Sequence, residues 1–94
     1  MTKDETKELL AIIRAAYPNF YKDVDDQTLK ASVNIWAMAL SDIDYSEVQR
    51  GFVQYVKTSK WPPTVAEIVQ AAKDAHKGDM ILQAIKQRKR LLGE

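Results

Sequence analysis

The sequence predicts an all-α protein, a compact bundle of about five short helices, from three observations. Apolar residues recur with a period near 3.6 from one end to the other. No run shows the period-2 alternation and β-branched content of a strand. Capping pairs and prolines interrupt the pattern at helix-length intervals.

Thr2 and Glu5 have the spacing of a capping box, in which each side chain accepts from the other's free backbone N–H, and they open a first helix. Its apolar face is Leu9, Leu10, Ile12, Ile13 and Ala16. Pro18 disfavours helical geometry at Tyr17 and ends it. The weakly patterned Tyr21–Val24 reads as a loop or single turn whose neighbouring aromatics fold back onto the core. Asp25 or Asp26 caps a second helix, with Leu29, Val33, Trp36, Ala37 and Leu40 on one stripe. Ile35 and Met38 widen that stripe, which predicts a central helix contacted from more than one side, with Trp36 in the core.

Ser41–Asp44 breaks the second helix, and Asp44 with Glu47 again has capping spacing. The third helix carries Tyr45, Val48, Phe52, Tyr55 and Val56 on one side. Gly51 within it costs about 1 kcal/mol relative to Ala, which the close approach of a neighbouring helix would explain. Pro62 and Pro63 lack backbone donors and hold the chain extended, and Trp61 before them is expected to plug the gap between the third and fourth helices, the alternative being an exposed contact residue. Thr64 and Glu67 form a further capping box, Val65, Ile68, Val69 and Ala72 face inward, and Gly78 is the expected C-terminal cap. Asp79 then caps a last segment, Met80 to Leu92, in which Ile81, Leu82, Ile85 and Leu92 are interspersed with Lys86, Arg88, Lys89 and Arg90. The expected organisation is a helical domain over residues 1–78 and a basic amphipathic helix over 79–94 that is free to project.

With 94 residues, 46% of them hydrophobic, the chain has material for one packed core without covalent staples. The absence of Cys excludes disulfides, thiolate metal sites and thiol nucleophiles. The longest strictly apolar run, Ile35–Leu40, is far shorter than the ~20 residues of a membrane span. Met1–Glu5 lacks the basic and apolar stretches of a secretory leader, so a cytoplasmic location is expected. The net charge of +1 divides into −4 over residues 1–47 (5 Lys+Arg, 9 Asp+Glu) and +5 over residues 48–94 (9 and 4). Such polarity is most commonly a mixed solvated surface, and it also offers a basic end to an acidic partner or to phosphate.

Catalytic signatures are lacking. Gly51, Gly78 and Gly93 are scattered and none precedes a Lys-Ser/Thr pair, so there is no phosphate cradle and no ATPase. His76 has no second histidine to complete a metal site and reads as a surface residue. Asp23, Asp25, Asp26, Asp42 and Asp44 cluster at helix starts, where carboxylates satisfy free N–H groups and oppose the helix dipole. Asp42-Ile43-Asp44 lacks the glycine and terminal Glu of a calcium loop. No catalytic residue, metal or cofactor is therefore expected. The basic run Lys86, Arg88, Lys89 and Arg90 suits a phosphate backbone, an acidic protein surface, or simple solvation. It lacks the interleaved aromatics on which single-stranded bases stack.

Over roughly residues 5–70 the order of motifs resembles a known family. Ala15-Ala16-Tyr17-Pro18-Asn19-Phe20 comes first, then Trp36-Ala37 and Leu40, Asp42, Asp44-Tyr45 and Val48, and last Trp61-Pro62-Pro63-Thr64-Val65 with Glu67-Ile68. This series resembles the replicative helicase loader and inhibitor proteins of phages infecting Gram-positive bacteria. The resemblance implies a non-enzymatic phage replication adaptor with a helical N-terminal domain. Such an adaptor binds the replicative hexameric helicase, inhibits it, and delivers it to DNA at an origin-bound initiator. Tyr17, Pro18, Trp36, Tyr45, Trp61, Pro62 and Pro63 are then signature positions of structural character. The family's helicase contact is attributed mainly to a longer, flexible C-terminal region, where this sequence has instead one basic amphipathic helix, on which Ile85, Arg88, Leu91 and Leu92 are the expected partner contacts. Lys86, Lys89 and Arg90 would meet phosphate or an acidic surface. Two alternatives are a nucleic-acid-binding accessory protein that uses the basic second half, and a helical module that self-associates through its last helix.

Overall fold

Local capping signals set three of the four helix starts in the computed structural model, which describes residues 1–91 and their side chains as far as Gln87. Its helices are α1 (Lys3–Ala16), α2 (Asp26–Ala39), α3 (Tyr45–Thr58) and α4 (Val65–Leu91). At α1 the Glu5 N–H donates to Thr2 Oγ1 (3.1 Å) and the Thr2 N–H to Glu5 Oε1 (2.8 Å), closing the predicted box. Thr64 and Glu67 repeat it before α4, at 3.2 and 3.0 Å. Asp25, rather than Asp26, caps α2 by accepting from the Thr28 N–H at 2.9 Å. The third predicted box does not form. Asp44 occupies the N-cap position without a side-chain hydrogen bond, and the Glu47 carboxylate, which would complete the box at the Asp44 N–H, reaches across to His76 of α4 instead.

The core draws on every helix: Leu9, Leu10 and Ile13 of α1, Val33 and Trp36 of α2 with Leu40 after it, Val48 and Phe52 of α3, and Ile68 and Ala72 of α4. Tyr17 and Phe20 fold back into it from the first loop. Phe20 meets Trp36 edge-on with ring centroids 6.2 Å apart, and the Trp36 indole N–H donates to Tyr21 Oη at 3.2 Å. The Met1 ammonium donates to the carbonyls of Leu40 (3.2 Å), Ser41 (3.4 Å) and Ile43 (2.8 Å) in the connection between α2 and α3.

α3 and α4 form the tightest helix pair. A Cβ on Gly51 would lie 2.6 Å from the carbonyl carbon of Ala71 and 2.7 Å from the backbone nitrogen of Ala72, so the expected close approach of a neighbour is real and glycine is what permits it. α2 departs from expectation. Ile35 and Met38 are exposed, and the helix buries one stripe rather than sitting at the centre. Ile12, Ala16 and Val56, assigned inward by their spacing, are exposed as well.

The last two expected helices are one. α4 runs through Gly78 for 27 residues, about 40 Å at 1.5 Å per residue, and accounts for much of the molecule's 59 Å length. The expected cap at Gly78 fails because nothing requires a turn there: no proline follows, and a glycine inside a helix costs only about 1 kcal/mol. Asp79, expected to cap a new helix, forms a salt bridge with Arg50 of α3 instead.

Candidate functional site

α4 changes character along its length, and the change defines the candidate site. In its first half Ile68 and Ala72 are fully buried against α3, with Val65 and Val69 packed beside them. Two polar contacts fasten the end of this docked stretch. His76 Nδ1 lies 2.6 Å from Glu47 Oε1, and Arg50 pairs with Asp79. Arg50, Asp79 and His76 are open to solvent and only Glu47 is mostly covered, so the contribution of these contacts is registry between the helices more than stability. Around them lies a cleft of about 780 Å³ between α3 and α4, with Val53 and Gln54 on one wall and Ala75, Gly78 and Leu82 on the other.

Beyond Asp79 the helix leaves the bundle. Met80, Ile81, Leu82 and Ile85 are 47–58% exposed. Ile81 and Ile85 are four residues apart, and Leu82 and Ile85 three apart, so they share one stripe. Lys86 is exposed beside it. Of the predicted contacts, the side chains of Arg88, Lys89, Arg90 and Leu91 lie outside the described ones, and Leu92 lies outside the described residues.

The signature positions lie elsewhere, and most are structural. Tyr17 is buried, and its Oη donates to the Ser59 carbonyl at 2.8 Å, tying the end of α1 to the end of α3. Burial, and next the neighbouring Tyr55, push its hydroxyl pKa above the usual range, so it remains a donor at neutral pH. Trp36 is 2% exposed and Pro63 is buried; Pro62 is half-buried and Pro18 exposed. Tyr45 packs against the core with its hydroxyl enclosed and lacking a hydrogen-bond partner among the described residues. Burial first, and then the Glu8 carboxylate, raise its pKa.

Trp61 does not plug the α3–α4 gap. The residue is 77% exposed. The backbone is what the loop holds: Tyr55 Oη donates to the Trp61 carbonyl (2.9 Å), and Ser59 Oγ donates to Tyr55 Oη (3.0 Å). Those bonds, with the extended diproline that follows, turn the indole outward.

Two features escaped sequence reasoning. Val53 shares the α3–α4 cleft with Leu82, which its position off the main stripe of α3 concealed. A second groove, between α1 and α2, is rimmed by Lys3, Lys7, Arg14 and Lys30. The signal for it was the helical spacing of 3, 7 and 14, hidden by the net negative charge of the first half.

Among the described residues no three His, Cys, Asp or Glu side chains come together as a metal site, and no helix is long and apolar enough to cross a membrane. What the arrangement offers is surface: an apolar stripe on a protruding helix, and a groove with a basic rim. A family model for the N-terminal domain of the phage SPP1 helicase loader/inhibitor protein matches residues 1–69. No curated protein and no solved structure matches the chain.

Proposed function

The chain belongs to the N-terminal domain family of the phage SPP1 helicase loader/inhibitor protein, and from that premise we propose that it is a non-enzymatic phage replication adaptor. In this reading the far half of α4 binds the replicative hexameric helicase, holds it inactive, and releases it to an origin-bound initiator. The family supports the helicase association. The contact surface rests on one observation: four large apolar side chains, Met80, Ile81, Leu82 and Ile85, stand half-exposed on a protruding helix, outside the matched residues 1–69.

Burying the exposed half of such side chains is worth roughly 1 kcal/mol each, hence about 4 kcal/mol together before the costs of association. A nanomolar complex needs about 12 kcal/mol. The stripe alone therefore makes a weak contact, which the basic residues Lys86, Arg88, Lys89 and Arg90 would supplement by attraction to an acidic surface. Several adaptors on one hexamer would then inhibit in proportion to occupancy, by obstructing the subunit movements that ATP turnover requires.

The test is size-exclusion chromatography with light scattering on a mixture with the replicative helicase of its phage or host, with and without ATP, alongside the helicase's ATPase rate. The expected result is a stoichiometric complex with lowered ATPase, and loss of both effects in Ile81→Gln/Ile85→Gln. Absence of a complex in either nucleotide state, with full ATPase activity, would overturn the reading. Steeply salt-dependent DNA binding would then favour the nucleic-acid alternative.

A further inference from the structure

We propose that the groove between α1 and α2 is a docking site for an acidic amphipathic helix of a partner protein, separate from the α4 contact. The groove has a volume of about 550 Å³. Leu10, Phe20, Leu29 and Val33 supply its apolar floor. Lys3, Lys7, Arg14 and Lys30 stand around it, and among the described residues that line it there is no Asp or Glu.

That charge distribution is contrary to the local composition. Residues 1–47 contain 9 Asp+Glu and 5 Lys+Arg, yet four of those five cations surround this one groove and none of the nine carboxylates does. The carboxylates are instead directed elsewhere: Glu5 and Asp25 to helix caps, Glu47 to His76. Cations so segregated around an apolar floor complement a ligand that is apolar on one side and anionic along its flanks.

Length identifies the ligand as a helix. Lys3, Lys7 and Arg14 follow one face of α1 over three turns, about 16 Å, while Lys30 and Asn34 face them from α2. A single small anion cannot touch both Lys3 and Arg14. An amphipathic helix of three turns can, with apolar anchors three and four residues apart on the floor and carboxylates beside the rim. Nucleic acid fits less well, since the two aromatics of the lining, Phe20 and Tyr21, pack on each other and Phe20 is buried, which leaves bases little free ring surface to stack on. The floor is also held in place: Tyr21, which lines it, and Asp23 both adopt positive φ (53° and 62°), a conformation disfavoured for non-glycine residues and found where surroundings fix a functional loop.

The experiment titrates the full chain, followed by amide NMR, with a synthetic helical peptide of about four turns carrying leucines at i, i+3/i+4 and i+7 and glutamates elsewhere. Controls are a peptide of the same composition with scrambled leucines, a lysine version, and a single-stranded oligonucleotide. The acidic amphipathic peptide is expected to shift amides around Leu10, Ala11, Leu29 and Val33 and to bind at least about tenfold more tightly than its scramble. Lys7→Glu/Lys30→Glu should lose that affinity and gain the lysine peptide. Ala11→Trp, at an exposed position lining the groove, should block it sterically with the fold intact. Equal binding of the scrambled peptide, shifts confined to α4, or tighter binding of the oligonucleotide at the same residues would each overturn the proposal. So would concentration-dependent self-association burying these residues. Ile81→Gln/Ile85→Gln should leave peptide binding unchanged, which separates this site from the helicase contact.

Discussion

The two halves of α4 have similar apolar content and opposite fates. Val65, Ile68, Val69 and Ala72 are buried or packed on the core, while Met80, Ile81, Leu82 and Ile85 are half-exposed. The difference comes from α3. It begins at Tyr45 and runs antiparallel to α4, with Tyr55 at Glu67, Gly51 at Ala71 and Ala72, and Glu47 at His76, so its start leaves the far half of α4 without a neighbour. Past Arg50–Asp79 the side chains of α4 are exposed as far as they are described. Apolar periodicity thus reports that a helix has a face to bury, and the rest of the chain decides whether the burying surface is inside the molecule.

The sharpest way to break the contrast is one substitution made at two glycines, Gly51 of α3, which faces the docked half of α4, and Gly78, where α4 begins to leave the bundle. Gly51→Ala adds a methyl group 2.6–2.8 Å from the backbone of Ala71 and Ala72. Backbone cannot yield as a side chain does, so the helices must separate and loosen Phe52, Ile68 and Ala72. The expected loss is about 3 kcal/mol, despite the helix propensity gained. Denaturant unfolding would show it, and a neutral result would mean that α3 and α4 are not in this register. Gly78→Ala adds the same methyl group where nothing lies within 4 Å, and should stabilise the protein by about 0.5–1 kcal/mol through helix propensity alone. A destabilised variant would show instead that Gly78 ends a helix, as its sequence context suggested.

Smaller still is the expected effect of Ile81→Gln/Ile85→Gln on folding. Both side chains are about half exposed and Gln is a good helix former, so stability should change by no more than about 0.5 kcal/mol in thermal unfolding. Helicase binding should meanwhile fall at least about tenfold. A large drop in stability would mean that the far half of α4 packs within the molecule and is not available to a partner.

How much of this was legible depended on whether the signal was local. The caps at Thr2, Asp25 and Thr64 are decided within one turn of chain, and all three formed. At Asp44 the Glu47 half of the box was lost to a competitor, His76, 29 residues away, and the Asp44 carboxylate makes no cap bond either. Gly51 was readable as a contact point since its propensity cost demanded a compensation; the identical reasoning misread Gly78, whose cost the long helix simply absorbs. Trp61 faced outward because its backbone, not its ring, was anchored by Tyr55 and Ser59. The stripe of Ile81, Leu82 and Ile85 was visible in the sequence, whereas the basic groove was not. Its cations come from two helices, and only their packing gathers them away from the carboxylates that outnumber them.

The smallest effect concerns how the docked half of α4 begins. Hydrogen bonds from the Thr64 backbone and side chain hold the Glu67 carboxyl below its usual pKa, opposed by slight desolvation. In the unfolded chain Glu67 titrates near its ordinary value of about 4.3. A folded-state pKa below that value means that the carboxylate's contribution to stability is complete above about pH 5. It is lost as pH falls through the folded value. Glu67→Gln keeps the capping box, which accepts Gln at this position, and removes the titration. Near pH 7 its thermal midpoint should lie slightly below that of the native chain. Between about pH 5 and pH 2 the native midpoint should fall faster, so that the two curves converge. Parallel curves over that range would mean that the charge on Glu67 does not contribute to holding the start of α4, and that the Pro62–Pro63 entry and the burial of Ile68 are sufficient to fix it.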